Sequence, residues 1–317
     1  MKNIITAFAL SIGMMTSGLV QSAYPDGPVT IVVPYSPSGN TDVFVRHVAP
    51  YLEKIWGQTV VIDNKPGGGS MVGTAYVANA KPDGKTFLVT TSAFVTAPAV
   101  QLDLPFDSRK DLIPVANVGY VSYILVTNAN SGFKNLQEFV AASKDSPKFA
   151  ATAGLGTTTH FAIEQFAAAS GAKVDVVHYK GGGPAVVSIM NGEADIYGSS
   201  VSSAGKNLKA GKIRPLAVLG DERIKALPEV PSTRELGYPS TEIKQWVGVF
   251  APAGTDPAII KKLNADINTV LRDEKLIAKL TPLDWTLEQS TPGGFAKQVD
   301  VELTKWKRLA AEKGIKK

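Results

Sequence analysis

Four loops of the chain combine glycine with small polar residues just before, or at the start of, a predicted helix. They are "SPSGNT" (36–41), "PGGGS" (66–70), "LGTTTH" (155–160) and "GGGP" (181–184). A helix N-terminus offers unpaired backbone N–H groups and the positive end of the helix dipole. Glycine lets the backbone approach closely, and hydroxyls add donors. Such loops can bind a carboxylate, sulfate or phosphate without a formal positive charge, although each alone is also compatible with an ordinary turn.

Phosphate and dinucleotide motifs are incomplete. "PDGKTFLV" (82–89) contains Gly-Lys-Thr, but it lacks the P-loop glycine five positions earlier, and a predicted strand follows it instead of a helix. "GLGTTTH" (154–160) lacks the third glycine of a dinucleotide fingerprint. The sequence therefore predicts no nucleotide and no cofactor.

Candidates for catalysis or metal binding are also few. The chain has three histidines, no cysteine and no G-x-S-x-G. His160 and Glu164 are four residues apart on one helix face, but no second pair completes a metal site. Asp42, His160 and Asp195 could serve a secreted hydrolase, which is the rival functional class. The preferred interpretation is that Asp42 caps its helix, Asp195 orders a loop, and the protein has neither a catalytic nor a metal site.

The elements that must position these loops alternate between strands and helices, which is typical of an α/β fold with mostly parallel sheets. The predicted strands are 29–33, 59–63, 86–91, an extended segment 115–130, 148–152, 174–179, "ADIYGSS" (194–200) and 214–220. The predicted helices are 41–56, 70–80, 135–144, 161–170, 184–192, 203–211, 257–274 and 293–312. Asp256 before Pro257 predicts an N-cap followed by proline at the first helical position.

The same unit occurs twice. Residues 31–70 and 150–185 both read strand, glycine-containing loop, helix, strand, triple glycine, helix. The repetition predicts two lobes with loops from both facing one cleft, because ligands in open α/β sheets bind beyond the carboxyl ends of the strands. An ordinary α/β rhythm is the alternative explanation. We predict a first domain of 24–124 plus 248–317, a second of 125–247, and hinge strands near 124–128 and 244–248.

Composition suits an exported globular protein. The 317 residues carry a net charge of +5 without a basic stripe, so no nucleic-acid partner is predicted. Residues 1–23 combine Lys2, an apolar core and small residues at Ser22 and Ala23, which indicates a signal peptide, with a membrane anchor as the alternative. Without cysteine, disulfides, thiolate metal sites and Cys nucleophiles are excluded. The predicted compartment is the periplasm.

Several long segments together resemble one family. They are "IVVPYSPSGNTDVFVRHVAPYLEKIWGQTVVIDNKPGGGSMVGTAYVANAKPDGKTFLV", "GLGTTTHFAIEQF", "VVHYKGGGPAVVSIMNGEADIYG", "KAGKIRPLAVLGDERIKALPEVPSTRELGYP" and "GVFAPAGTDPAIIKKLNADI". The resemblance is to the Bug proteins, periplasmic receptors of tripartite tricarboxylate transporters. It spans essentially the whole chain after the signal peptide.

The resemblance implies a two-lobed Venus-flytrap receptor, a type II periplasmic binding protein, that acts as a monomer. Such a receptor binds an organic carboxylate and delivers it to membrane transporter subunits; a sensor for a membrane kinase would use the same fold. The implied ligand-binding residues lie on the loops of both halves. They are Tyr35, Ser38, Gly39, Asn40, Thr41, Asp42, Ser92, Phe94, Gly156, Thr157, Thr158, His160, Gly182, Gly183, Asp195 and Ser199.

The first loop departs from the family pattern, which resembles Pro-Phe-x-x-Gly-Gly-x-x-Asp. Here Tyr35 replaces the Phe, and Ser38 and Asn40 flank a single Gly39. We predict that Ser38, Asn40, Thr157 and Thr158 donate to carboxylate oxygens of a dicarboxylate. A flat ring between Tyr35, Phe94 and Trp246 would suit an aromatic, phthalate-type acid; the alternative is that these aromatic side chains pack the hinge and core.

Overall fold

The computed structural model describes residues 24–100, 103–238, 241 and 243–313. Two sets of paired strands are joined through one long strand. The strands are β1 (Val29–Val33), β2 (Val60–Asn64), β3 (Thr86–Thr91), β4 (Leu112–Asn128), β5 (Lys148–Thr152), β6 (Val174–His178), β7 (Ile196–Ser200), β8 (Ile213–Leu219), β9 (Lys244–Pro252) and β10 (Trp285–Leu287). The predicted signal peptide, residues 1–23, lies outside the described residues.

The helices are α1 (Asn40–Trp56), α2 (Met71–Ala78), α3 (Ala93–Val100), α4 (Leu136–Asp145), α5 (Thr158–Ser170), α6 (Gly182–Asn191), α7 (Val201–Lys209), α8 (Pro257–Val270), α9 (Glu274–Leu280) and α10 (Pro292–Lys313). Apart from α3 and the division of one predicted helix into α8 and α9, they follow the strands in the order that the sequence predicts. Among the residues described, no helix has the length and apolar character that crossing a bilayer requires.

The first strand set has the order β2-β1-β3-β9-β4-β10. Strands β1, β2 and β3 are parallel, whereas β9, β4 and β10 pair antiparallel. In the second set β5 is parallel to β6 and β7, and β4 is antiparallel to β7 and β8. Because the loops of interest follow parallel strands, they leave each sheet at its carboxyl edge.

Strand β4 belongs to both sets. Its residues 112–122 pair with β9, and its residues 123–128 pair with β7 and β8. All of β9, from Lys244 onward, pairs in the first set. The chain therefore has a two-lobed α/β architecture in which β4 is continuous between the lobes. The exact domain limits proposed from the sequence stay a prediction.

Each strand set is packed between apolar layers, as the burial of its strands on both faces requires. One core joins α1 and α8 to the first set through residues such as Val45, Leu52 and Leu263. A second core on that lobe centres on Phe94, Trp246 and Phe250. Two further clusters cover the two faces of the second set.

Three elements differ from the sequence prediction. The predicted helix 257–274 ends at Val270, and α9 begins separately at Glu274, because the Asp273 carboxylate caps it by accepting from Lys275 N and Leu276 N. Helix α3 and the short β10 were not predicted: α3 contains Pro98, and β10 has three residues. The predicted N-cap Asp256 is confirmed, since its side chain accepts from Ala258 N.

Candidate functional site

The N-termini of α1, α5, α6 and α7 meet at one cavity between the two strand sets. Its walls include the N-caps or first residues of these helices, Gly39, Thr157, Gly182 and Ser200. The other lining residues come from strand ends, loops and helix starts. They are Tyr35, Asn40, Thr91, Tyr123, Ala153, Thr159, Tyr197, Ser203 and Gln245. No lysine or arginine is among the lining residues.

Side-chain capping divides the helices into two groups. Helices α4, α7, α8 and α9 have the N-cap residues Asn135, Ser200, Asp256 and Asp273, whose side chains accept hydrogen bonds from the first turn, and of these four helices α7 is the one at the cavity. Helices α1, α5 and α6 start at the cavity without such a bond. Their first N–H groups are therefore not satisfied by a cap of their own, which suits a site for an external anion.

The polar wall of the cavity is neutral and rich in hydroxyls. Tyr123 and Tyr197 are each 2% exposed, and burial raises the pKa of both phenols, so both stay protonated. Gln245 accepts a 2.6 Å hydrogen bond from Asn40 Nδ2. Tyr35 Oη hydrogen-bonds Thr91 Oγ1 at 2.7 Å. These side chains can orient a polar ligand, while the helix termini supply the positive potential.

Five of the sequence-predicted residues line this cavity. They are Tyr35, Gly39, Asn40, Thr157 and Gly182. Thr157 Oγ1 donates to Gly154 O at 2.6 Å, so its hydroxyl proton is already used inside the loop. Thr41 is fully buried, with its hydroxyl 3.5 Å from Asn40 Oδ1. The two loops that contain Thr41 and Thr157 therefore present backbone groups to the cavity more than free hydroxyls.

Other predicted residues support the cavity from outside its lining. The exposed Ser38 donates its backbone N–H to Asp42 at 2.9 Å. Ser92 Oγ and Thr158 Oγ1 hydrogen-bond at 2.8 Å and join the two lobes. Gly183 packs close to Pro37 of the opposite lobe.

The loop of the second half is held by a histidine. Gly156 N donates to His160 Nδ1 at 3.2 Å, and Gly156 O accepts from Thr96 Oγ1. His160 Nε2 lies 3.6 Å from Glu164, and its hydrogen bond is the main cause that lowers the pKa of that carboxyl. Because Nδ1 accepts from Gly156 N, the His160 ring holds this loop in place, while Nε2 faces Glu164.

Asp195 and Ser199, two more of the predicted site residues, do not line the cavity. Asp195 accepts from Phe149 N at 2.8 Å at the beginning of β5, which is the amino end of that strand. The loops of the cavity follow the other end, so Asp195 cannot share their ligand. Ser199 is buried and donates to Ser200 O, while its neighbour Ser200 lines the cavity.

The aromatic clamp is not formed. Phe94 is fully buried and stacks on Phe250 with ring centroids 4.2 Å apart. Trp246 packs edge-on against Phe295 and donates from Nε1 to Glu302 at 2.9 Å. Of the three predicted aromatic side chains, Tyr35 alone is at the cavity. The other two, Phe94 in α3 and Trp246 in β9, pack in one apolar core cluster.

The hydrolase constellation is not assembled either. Asp42 is 2% exposed and is engaged by Ser38, Arg46 and Asn64. Asp195 lies at the amino edge of the second strand set, away from the cavity. Within the described residues, no group of three or more His, Asp or Glu side chains could hold a metal ion.

Thr158 and Ser38 lie in corresponding loops of the two halves, but their hydroxyls have different surroundings, and one substitution at each position tests this difference. Thr158→Val removes the bond to Ser92 that joins the lobes, so we expect ligand affinity to fall about fivefold, equivalent to about 1 kcal/mol. Ser38→Ala should leave affinity within about twofold, because only the backbone of Ser38 is engaged. Titration calorimetry measures both; equal losses would show that the Ser38 hydroxyl reaches the ligand after all.

The chain is similar to known proteins and to solved structures over most of its length. Residues 44–315 match the family model described as tripartite tricarboxylate transporter family receptor. The chain is 35% identical over 299 residues to protein BugT of Bordetella pertussis, covering 92% of this chain and 91% of that protein.

Solved structures agree in fold. The periplasmic binding protein BugD has a TM-score of 0.88 at 27% identity, covering 93% of this chain and all of that one. An R. palustris protein solved with adipate has a TM-score of 0.87 at 28% identity, covering 92% and 98%. MatC from Rhodopseudomonas palustris, with bound malate, has a TM-score of 0.84 at 29% identity, covering 90% and 99%. The fold, the anion-suited cavity and the match over residues 44–315 show that the chain belongs to the tripartite tricarboxylate transporter receptor family, that of the Bug proteins.

Proposed function

We propose that the protein is a periplasmic receptor that binds an organic dicarboxylate between its lobes and delivers it, as a monomer, to a membrane transporter. The observation that carries this is the meeting of four helix N-termini at one cavity without a lysine or arginine in its walls. Each N-terminus carries roughly half a positive charge, and three of the four lack a side-chain cap of their own. That potential favours a carboxylate and disfavours a cation.

Aliphatic diacids are the preferred ligands. The related proteins solved with adipate and malate carry such acids. An aromatic diacid would lack the ring clamp, because Phe94 and Trp246 lie in the core. Delivery to a transporter and export by the predicted signal peptide are proposed from the family to which the chain belongs.

A thermal-shift screen followed by calorimetry tests the proposal. Malate, adipate and phthalate serve as probes, and adipamide serves as an uncharged control of matched length. At a ligand concentration of 100 times Kd, binding adds about 2.7 kcal/mol to the free energy of unfolding, so Tm should rise by several degrees. Binding of adipamide as tightly as adipate would overturn the anion site, and chemical turnover of a probe would favour the hydrolase.

A further inference from the structure

A second, larger chamber adjoins the cavity in the cleft. It is lined by Pro34–Tyr35, Gly67–Ser70, Ala153–Leu155 and His178–Lys180. Tyr35 and Ala153 are walls of both spaces, so the chamber, which we call the outer chamber, lies next to the cavity across these two residues. Both lobes contribute to it, and it contains the loop 66–70 that the site described above does not use.

The sizes of the two spaces differ greatly. The inner cavity holds about 20 Å³, enough for about one water-sized group. The outer chamber holds about 290 Å³. With the lobes in this contact, the inner cavity has room for the oxygen end of one carboxylate at the helix N-termini, and the volume for the rest of a diacid lies beyond Tyr35 and Ala153.

The outer chamber differs from the inner cavity in charge. Lys180 is part of its wall, and within the described residues its side chain makes no ion pair or hydrogen bond. His178 also lines it, but burial, followed by the neighbouring His160, lowers the pKa of His178. At neutral pH Lys180 is therefore the cationic side chain of this wall.

The glycine loop adds a second feature. Gly67, Gly68 and Gly69 all have positive φ, and Ser70, with φ 86°, continues this unfavourable conformation in a residue that has a side chain. Ser70 is 2% exposed, and its hydroxyl makes no hydrogen bond among the described residues. Its polar neighbour is the Tyr35 hydroxyl, whose short hydrogen bond is made to Thr91. Buried unpaired polar groups and strained backbone are concentrated at functional sites.

We propose that the outer chamber is a second carboxylate subsite, in which Lys180 selects diacids long enough to reach it from the helix N-termini. The inference rests on the proposed function, because the first carboxylate must occupy the inner cavity. Lys180 O accepts from Ser36 N and Ser36 Oγ across the lobes, but that contact uses the backbone and survives a change of side chain.

Calorimetry on Lys180→Gln with two probes tests the subsite. Adipate carries both charges, and monomethyl adipate keeps the length with one charge removed. We expect Lys180→Gln to weaken adipate binding at least tenfold and the monoester by less than twofold. Lys209→Gln is the matched control: it removes an exposed lysine of the same lobe at the C-terminal end of α7, the opposite end from Ser200, and should change neither affinity.

The outcomes are distinct. If the wild type binds adipate and Lys180→Gln binds it equally well, or loses both probes equally, the subsite is overturned while the proposed function stands. A wild type that binds no carboxylate overturns both. One adipate per chain supports a single ligand spanning the two spaces, whereas two per chain would overturn that arrangement.

Discussion

Gly183→Ala should weaken dicarboxylate binding about 5- to 150-fold without destabilising the protein. A Cβ atom at Gly183 would lie 2.4 Å from Pro37 O of the opposite lobe. A backbone oxygen cannot move aside as the end of a flexible side chain can, so the lobes must separate at this point. Overpacking of this kind costs about 1–3 kcal/mol, which is the expected loss of binding free energy.

The reason that stability is spared lies in the backbone of Gly183. The residue is helical within α6 and has no positive φ. Alanine is a better helix former than glycine, and lobes that move apart relieve the clash. Separation should also lengthen the bonds from Ser36 to Lys180 O, now 2.8 and 3.2 Å. Solution scattering should show a larger radius of gyration for the variant in the presence of ligand.

Gly205→Ala is the matched control for this substitution. Gly205 is buried in α7 and also faces the first lobe, but its Cβ would lie 3.9 Å from Leu283 Cδ2, an ordinary contact. Its ligand affinity should equal that of the wild type. If Gly183→Ala also binds the dicarboxylate normally, the contact with Pro37 is not part of the liganded arrangement. The prediction that this contact between the lobes supports binding is then wrong.

The repeated order of loops was enough to predict which segments meet. Parallel strands place the loops after β1 and β5 at the carboxyl edges of their sheets, and the two edges face one cleft. Asp195 could have been excluded by the same rule, because it precedes β7 and so must lie at the amino edge. Its position after the triple glycine in sequence had no bearing on which end of the strand it occupies.

The polar wall could not be predicted in this way. Tyr123 and Gln245 lie in long, mostly apolar strands, and nothing in their local sequence distinguishes them from core residues. They reach the cavity because β4 runs from one lobe to the other beside β9 and β7. The pairing of β4 with β9 joins residues as far apart in sequence as Leu112 and Pro252. It is a tertiary property, and the spacing within either strand does not encode it.

The largest expected effect on the first loop comes from Asp42→Ala. The Asp42 carboxylate accepts from Ser38 N and Arg46 Nε, both at 2.9 Å, and from Asn64 Nδ2 at 3.1 Å. It holds Ser38 at φ 70°, a conformation that a non-glycine residue adopts at a cost. We expect the free energy of unfolding to fall by about 1–3 kcal/mol. Ligand affinity should fall at least tenfold, since the loop that presents Gly39 and Asn40 is released.

A neighbouring carboxylate provides the control for Asp42. Asp63 pairs with Lys65 at 3.0 Å near the surface, where both side chains are about one-third exposed. Ion pairs of this kind contribute about 0–1 kcal/mol, so Asp63→Ala should change stability little and affinity not at all. Urea unfolding and calorimetry on both variants make the comparison. Normal affinity in Asp42→Ala would show that the loop keeps its shape without the carboxylate.

The pH dependence of stability gives an independent check on Asp42. Burial opposes ionisation of this carboxyl, but hydrogen bonds from Arg46, Ser38 and Asn64 outweigh it and lower its pKa. Folding therefore favours the ionised form. Its contribution is complete above the unfolded pKa of about 3.9 and is lost as the pH falls through the lower folded value. The stability difference between wild type and Asp42→Ala should be constant from pH 7 to about pH 5 and shrink at lower pH. A difference that grows on acidification would mean that the protonated carboxyl is the form that holds the loop.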